Sequence, residues 1–147
     1  MKAKRWTRHR ARRALVQAVY KWQMTDADTH KVALEFEESG ALQKADRKFF
    51  NELLRGVLLG CDELDELLSP NLDRALGGLD NVELAVLRLG TFELKNRLDV
   101  PYRVVIDEYV ELTKLFGAQD GHKFVNGVLN KLAHSLRSVE VSARERI

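Results

Sequence analysis

Cysteine, proline and long apolar runs are scarce in this sequence, and each scarcity argues against a class of protein. Cys61 is the single cysteine among 147 residues, so no internal disulfide can form and a reducing cytoplasm is the expected location. No segment approaches about 18 consecutive apolar residues, and the N-terminus lacks the apolar core of a signal peptide, so we expect no membrane span. Two prolines, nine glycines and no alternating β-branched runs favour helices over strands.

Acidic residues are missing from the start of the chain. None precedes Asp26, whereas eight basic residues do. Because the whole chain has a formal charge of +2, the part from Asp26 onward carries −6. A basic segment on an otherwise acidic body indicates a polyanionic partner, either a nucleic acid or an anionic membrane surface. The composition, 45% hydrophobic and 31% charged, is that of one folded domain.

Catalytic motifs are also lacking. The sequence contains no glycine-rich phosphate loop, nucleophile elbow or nucleotide fingerprint. The histidines have no metal-ligand spacing to one another or to Cys61; they are His9, His30, His122 and His134. Cys61 falls in an apolar stripe, and we interpret it as core filler rather than as a reactive thiol. We therefore expect no enzyme, no catalytic residue, no metal and no cofactor.

The apolar periodicity predicts an all-α fold within a single domain, 1–147. Thr7 is the predicted N-cap of the first helix, which leaves 1–7 as a flexible basic arm. The later helices are predicted at 28–38, 46–68, 81–97, 102–116 and 121–136. Gly77-Gly78 marks the expected boundary between two three-helix sub-bundles, 1–78 and 79–137, around a shared core. The tail 138–147 is expected to fray.

The first helix combines cations with an outward-facing aromatic ring. At about 100° per residue, several side chains point away from the apolar stripe; they are Arg10, Arg13, Gln17, Tyr20 and Lys21. This pattern fits an ordinary charged helix face with one amphipathic tyrosine. It also fits an RNA platform, since arginines neutralise phosphates and exposed rings stack on bases.

Two later residues depart from their helix patterns in opposite ways. Phe124 lies at the edge of the last apolar stripe, with Lys131 two turns on, and is either peripheral core or a ligand-contacting ring. Glu93 instead falls inside an apolar stripe, so we expect it to be buried and hydrogen-bonded. Backbone N–H groups at the start of the helix after Pro101 are the predicted donors to Glu93.

Four segments of the chain resemble the NusB family. They are RHRARRALVQAVYKWQ (8–23), VLRLGTFEL (86–94), DVPYRVVIDEYVELTKLFG (99–117) and HKFVNGVLNKL (122–132). The likeness extends over nearly the whole chain and implies two three-helix bundles. It also implies a transcription antitermination factor that binds single-stranded boxA RNA of nascent ribosomal transcripts. NusE, a small-subunit ribosomal protein, is the implied co-binder, within the antitermination complex on RNA polymerase.

The family's RNA-contacting positions correspond to eight residues of this chain. They are Arg8, Arg10, Arg12, Gln17, Tyr20, Asp120, Lys123 and Phe124. The resemblance also implies that NusE binds the side carrying Glu83. The chain departs from the family pattern at His9, which interrupts the arginine run, and at Gly121, where serine is commoner. Alanine at both Arg10 and Arg12 is expected to weaken RNA binding and leave helix content unchanged.

Two other functions stay open from the sequence. One is the NusB-like RNA-binding module of a ribosomal RNA cytosine methyltransferase, which would need a catalytic domain beyond Ile147. The other is a helical protein–protein adaptor whose basic segment only aids solubility, and a salt titration of RNA binding would separate it from an RNA-binding factor. The sequence is compatible with a monomer or a homodimer.

Overall fold

The computed structural model describes residues 2–145, which form eight α-helices and no strand. The helices are α1 (Lys2–Thr25), α2 (Thr29–Glu38), α3 (Arg47–Leu59), α4 (Cys61–Leu68), α5 (Asn81–Asn96), α6 (Tyr102–Phe116), α7 (Gly121–Leu136) and α8 (Ser138–Glu145). Two short 3-10 turns, Ser69–Asn71 and Leu76–Gly78, lie between α4 and α5. The predicted all-α fold is confirmed. Within the described range, no helix is both long enough and apolar enough to cross a membrane.

The chain divides into two compact units after Cys61, and not at the double glycine. We call Met1–Cys61 the N-terminal unit and Asp62–Ile147 the C-terminal unit. The division falls where the single helix predicted over 46–68 breaks at Gly60. A Cβ atom on Gly60 would lie 2.8 Å from the carbonyl oxygen of Gly56, so the break depends on a residue without a side chain. Cys61 opens α4 and is partly exposed instead of buried in the predicted stripe.

The N-terminal unit is a bundle of α1, α2 and α3. Thr7 does not cap α1, because the helix already runs from Lys2 and the Thr7 hydroxyl donates to the Lys4 carbonyl at 3.1 Å. The predicted flexible arm is therefore helical over its described part. Asp46 fixes the start of α3 against α1: its N–H donates to the Thr7 carbonyl at 3.0 Å, and its carboxylate accepts from the Phe49 N–H.

The C-terminal unit is built on α5, α6 and α7, which pack against one another. α5 passes close to α7 at Gly90, where a Cβ atom would lie 2.7 Å from a methyl carbon of Leu129. The segment predicted to fray is helical instead, as α8 over Ser138–Glu145, and Val141 anchors it in the core.

Arg137 explains why the chain after α7 is held in place. Its side chain is 4% exposed and donates to backbone carbonyl groups at the end of α5 and in the segment that follows it. The acceptors are the backbone oxygens of Glu93 (3.2 Å), Leu94 (2.7 Å), Arg97 (2.9 Å) and Val100 (3.0 Å). Arg137 also donates to the Glu140 carboxylate at 2.7 Å.

Glu140 also accepts the first backbone N–H of α6, from Tyr102, at 2.8 Å. The sequence assigned this acceptor role to Glu93, and that interpretation was wrong. Glu93 is fully buried as predicted, but its carboxylate accepts from the Tyr109 hydroxyl at 2.6 Å. Glu140, in the first turn of α8, accepts the N–H of Tyr102 instead, and its carboxylate is also bound by Arg137.

Candidate nucleic-acid interface

One line of exposed and partly exposed side chains runs along α1 in the N-terminal unit. We call Arg10, Arg13, Gln17 and Tyr20 the α1 stripe. Their spacing of three and four residues brings them to the same side of the helix. All the other residues between 11 and 20 are buried, so the stripe is the part of this stretch that solvent reaches. Tyr20 is 39% exposed, so part of its side chain is open to solvent.

A groove of about 310 Å³ lies beside the α1 stripe. It is lined by Arg10, Arg13, Ala14 and Gln17 from α1 and by Ala41 from the segment between α2 and α3. Arg10 Nε donates to the backbone oxygen of Gln43 in that segment at 3.4 Å. Two guanidinium groups and a carboxamide thus line a concave surface, an arrangement that suits a phosphate backbone with its bases.

The segment that forms the second wall of the groove has a defined backbone shape. Gly40 and Lys44 both adopt left-handed conformations, with φ of 81° and 61°. Glycine takes this conformation without steric penalty, which explains its place directly after the α2 C-cap, Ser39. The turn places Ala41 in the wall of the groove. Because this side chain is small, the groove is lined mainly by the cationic side chains of α1.

Arg8 and Arg12 turn towards α3 instead. Their guanidinium carbons lie 4.8 Å and 4.9 Å from the centre of the Phe49 ring, and Arg8 Nε lies 3.8 Å from an Asp46 carboxylate oxygen. Arg12 is 2% exposed. Arg12 is therefore buried, because α3 covers that side of α1. Arg8 is partly exposed, but its guanidinium group already contacts the Phe49 ring and the Asp46 carboxylate.

The remaining predicted RNA residues lie at the start of α7 in the C-terminal unit. Asp120 has a left-handed backbone, with φ of 67°, and its side chain makes no capping hydrogen bond to α7. It pairs instead with Lys123 at 3.3 Å on the exposed surface. Phe124 is half-buried, and the Arg74 guanidinium lies over its ring at 4.6 Å. Arg74 in turn donates to Asp73 at 2.9 Å and lowers the pKa of that carboxyl.

Glu83, the predicted NusE contact, lies against the first residue of α7. A Cβ atom on Gly121 would be 2.9 Å from Glu83 Oε2, so any side chain at position 121 must displace this carboxylate. Burial, with a smaller effect of the nearby Asp80 carboxylate, raises the pKa of Glu83. The departure from the family pattern at Gly121 therefore leaves room for a partly buried glutamate.

Between residues 2 and 145, no three histidine, cysteine or acidic side chains are grouped so as to hold a metal ion. A wider cavity, of about 680 Å³, lies in the N-terminal unit away from the α1 stripe. It is lined by residues of α2 and α3 such as His30, Asn51 and Arg55, and Asp28 there already accepts from the His30 N–H.

These features define an all-helical protein with a cationic, aromatic-bearing surface. The family model described as the NusB family matches residues 9–134. A transcription antitermination protein NusB from Pseudomonas savastanoi is 50% identical, covering 99% of this chain and 88% of that protein. The protein of the same description from Alcanivorax borkumensis is 52% identical over 93% and 91%. The chain therefore belongs to the NusB family of transcription antitermination factors, which are not enzymes.

Two solved structures share the fold. NusB from T. maritima is 33% identical and superimposes with a TM-score of 0.75, covering 86% of this chain and 89% of that one. A crystal structure of antitermination factors NusB and NusE in complex with double-stranded RNA gives a TM-score of 0.79 at 25% identity, covering 88% and 97%. In that neighbour, a protein of the same fold is thus found together with NusE and RNA.

Part of this surface can be predicted from the sequence and part cannot. Helical periodicity identified the α1 stripe, because exposure along one helix follows from spacing alone. Arg74 was missed: it lies in an irregular segment after Pro70, where no periodicity indicates which way a side chain points. The burial of Arg12 could not be predicted, because the side of α1 that α3 covers depends on packing between helices.

Proposed function

We propose that this chain acts in antitermination by binding boxA RNA of nascent ribosomal transcripts together with NusE. The observation that carries the proposal is the α1 stripe with its groove, in a chain whose relatives are antitermination proteins. We further propose that it works in the cytoplasm as part of the RNA polymerase antitermination complex. The relatives match over 88% and 91% of their own length, which favours this function over the RNA-binding module of a methyltransferase.

In the proposed complex, the side chains of the α1 stripe make different kinds of contact with RNA. Arg10 and Arg13 neutralise phosphates, and the planar guanidinium group can hold two phosphate oxygens at once. The Gln17 carboxamide both donates and accepts, so it can read a base edge. Tyr20 stacks on an unpaired base, which favours single-stranded over double-stranded RNA.

The C-terminal unit contributes its own proposed contacts. Lys123 supplies a cation, and Asp120 accepts hydrogen bonds from base amino groups or ribose hydroxyls. Phe124 offers the face of its ring that Arg74 does not cover. Glu83 is the proposed NusE contact, where a partly buried carboxylate would pair with a cation of the partner.

The test compares four binding measurements on the wild-type protein. Affinity is measured for single-stranded boxA RNA and a scrambled RNA of equal length, each with and without NusE. We expect boxA to bind more tightly than the scrambled RNA and NusE to increase that preference. Equal affinity for both RNAs in the presence of NusE would contradict boxA recognition. An adaptor function predicts NusE binding without any RNA dependence.

The preference for single-stranded over double-stranded RNA needs a separate experiment, because the neighbouring NusB–NusE complex contains double-stranded RNA. The same boxA sequence is annealed to its complement, and the affinity of the duplex is compared with that of the single strand. Stacking by Tyr20 requires an unpaired base, so we expect the duplex to bind more weakly. Tighter binding of the duplex would overturn the proposed role of Tyr20.

A further inference from the structure

We infer that Trp6 is an additional base-stacking residue that extends the RNA surface towards the N-terminus of α1. The inference deepens the proposed function and depends on it. Trp6 precedes residues 9–134, which the family model matches, so nothing in the family match assigns it a role. Three observations support it: the exposure of the ring, the groups that hold it, and the charge around it.

The Trp6 ring is open to solvent although it belongs to a helix. It is 54% exposed, more than the ring of Tyr20. A tryptophan buries a large apolar area when it finds a partner, and leaving it exposed forgoes that stabilisation. The exposed indole is therefore a surface that a flat apolar ligand could cover.

Neighbours on the same helix face hold the ring in a defined orientation. The His9 ring stacks on it, with 6.2 Å between centroids and 21° between planes. The Arg10 guanidinium lies 5.5 Å from its centre. Residues three and four positions later are the side chains that reach back to Trp6 on a helix. The histidine that interrupts the arginine run thus supports the indole, and a ring held in place loses little conformational freedom on binding.

The charge around Trp6 indicates the kind of ligand. Lys4 and Arg5, which are exposed, come shortly before it in the sequence; Arg10 contacts it, and no acidic residue precedes Asp26. An aromatic surface among cations matches a nucleobase attached to a phosphate backbone, because the ring stacks and the cations neutralise. An acidic patch would be needed to favour a basic peptide, and this segment has none.

Trp6 also continues the line of the α1 stripe. Each step from Trp6 to Arg10, Arg13, Gln17 and Tyr20 is three or four residues, so all five share one side of the helix. At a rise of 1.5 Å per residue, the two rings are about 21 Å apart along α1. The stripe thus has an aromatic ring at each end and cations between, and both ends can anchor unpaired bases.

The experiment compares Trp6→Ala, Trp6→Phe and a control, Leu59→Ala, in binding to boxA RNA with NusE present. Leu59 is also exposed, at 67%, and is the last residue of α3, whereas Asp46, which contacts Thr7, caps the start of that helix. A ring stacked on a base contributes about 1–3 kcal/mol, so Trp6→Ala should lose roughly 5- to 150-fold in affinity. Trp6→Phe should retain most of the affinity, and Leu59→Ala all of it.

Two readouts separate stacking from an indirect effect through Arg10. The slope of log affinity against log salt should be the same for Trp6→Ala as for wild type, because no phosphate contact is lost. RNA should also quench wild-type tryptophan emission more than that of Trp6→Phe, in which Trp22 is the remaining tryptophan.

Each unfavourable outcome overturns a different statement. Unchanged affinity in Trp6→Ala, with wild-type binding intact, refutes the role of Trp6 alone. Weakened binding with a smaller salt slope also refutes stacking, because Trp6 would then only position Arg10. If the wild-type protein with NusE does not bind boxA RNA, the proposed function fails and the role of Trp6 fails with it.

Discussion

Replacing Arg12 by alanine tests whether the arginines of α1 have different roles, with Arg12 stabilising the fold and Arg10 binding RNA. Arg12 and Arg10 are two residues apart, yet Arg12 is 2% exposed against Phe49 whereas Arg10 lines the groove of the α1 stripe. The family resemblance places both on the RNA surface. The structure predicts instead that Arg12→Ala lowers stability and that Arg10→Ala lowers RNA affinity.

The size of the stability loss follows from the contacts of Arg12. A desolvated cation over an aromatic ring contributes about 2 kcal/mol. Removing the buried methylene groups of the stem costs about 0.8 kcal/mol for each one that water does not reach. With partial relaxation around the gap, we expect Arg12→Ala to lose about 2–4 kcal/mol of unfolding free energy. Arg10→Ala should lose below about 1 kcal/mol, because its contact with Trp6 is exposed to solvent.

Urea unfolding followed by circular dichroism measures the first quantity, and RNA titration of the folded protein measures the second. Arg12→Lys is the matched variant: it keeps the charge and most of the stem but loses the planar group that stacks on Phe49, so its loss should be intermediate. A wild-type unfolding midpoint in Arg12→Ala, together with weakened RNA binding, would refute the reasoning. The double replacement of Arg10 and Arg12 is accordingly no clean test of RNA binding.

Three further predictions follow from other parts of the structure. Arg137→Ala should lower the unfolding free energy by about 3–5 kcal/mol, because buried carbonyl groups and the Glu140 carboxylate lose their donor; a wild-type urea midpoint would contradict this. Phe124→Ala and Tyr20→Ala should each weaken boxA binding roughly 5- to 150-fold and leave melting nearly unchanged, whereas low melting with normal binding would make them packing residues. Because burial raises the pKa of Glu83 above its ordinary 4.5, folding is disfavoured as pH rises through that raised pKa. The stability of Glu83→Gln relative to wild type should therefore improve between pH 4 and pH 7, and a difference independent of pH would refute the burial of this charge.

Local signals in the sequence account for most of the helix boundaries. Asp28 caps the start of α2 and the left-handed Gly40 follows its end, because capping and left-handed turns depend on the residue at the position itself. The break between α3 and α4 was missed, since a single glycine inside a periodic stripe is tolerated in many helices. Its effect at Gly60 depends on packing that the local sequence does not reveal.

Interactions between distant residues account for what the sequence could not predict. α8 is ordered because Arg137 reaches carbonyl groups some 40 residues earlier, and no periodicity encodes that contact. The proposed site shows the same limit. Spacing places Gln17 and Tyr20 outward, but the burial of Arg12 depends on Phe49 reaching α1 from another helix.

The measurement that tests the central claim most directly is the salt dependence of boxA RNA binding by three proteins. They are the wild type, the double variant Arg10→Ala with Arg13→Ala, and the control Arg47→Ala, which removes another exposed arginine of the N-terminal unit. Each phosphate contact on a single strand adds about 0.7 to the slope of log affinity against log salt, so the double variant should lower the slope by roughly 1.4. Arg47→Ala should leave the slope unchanged. Equal slopes for all three proteins would show that RNA does not bind at the α1 stripe.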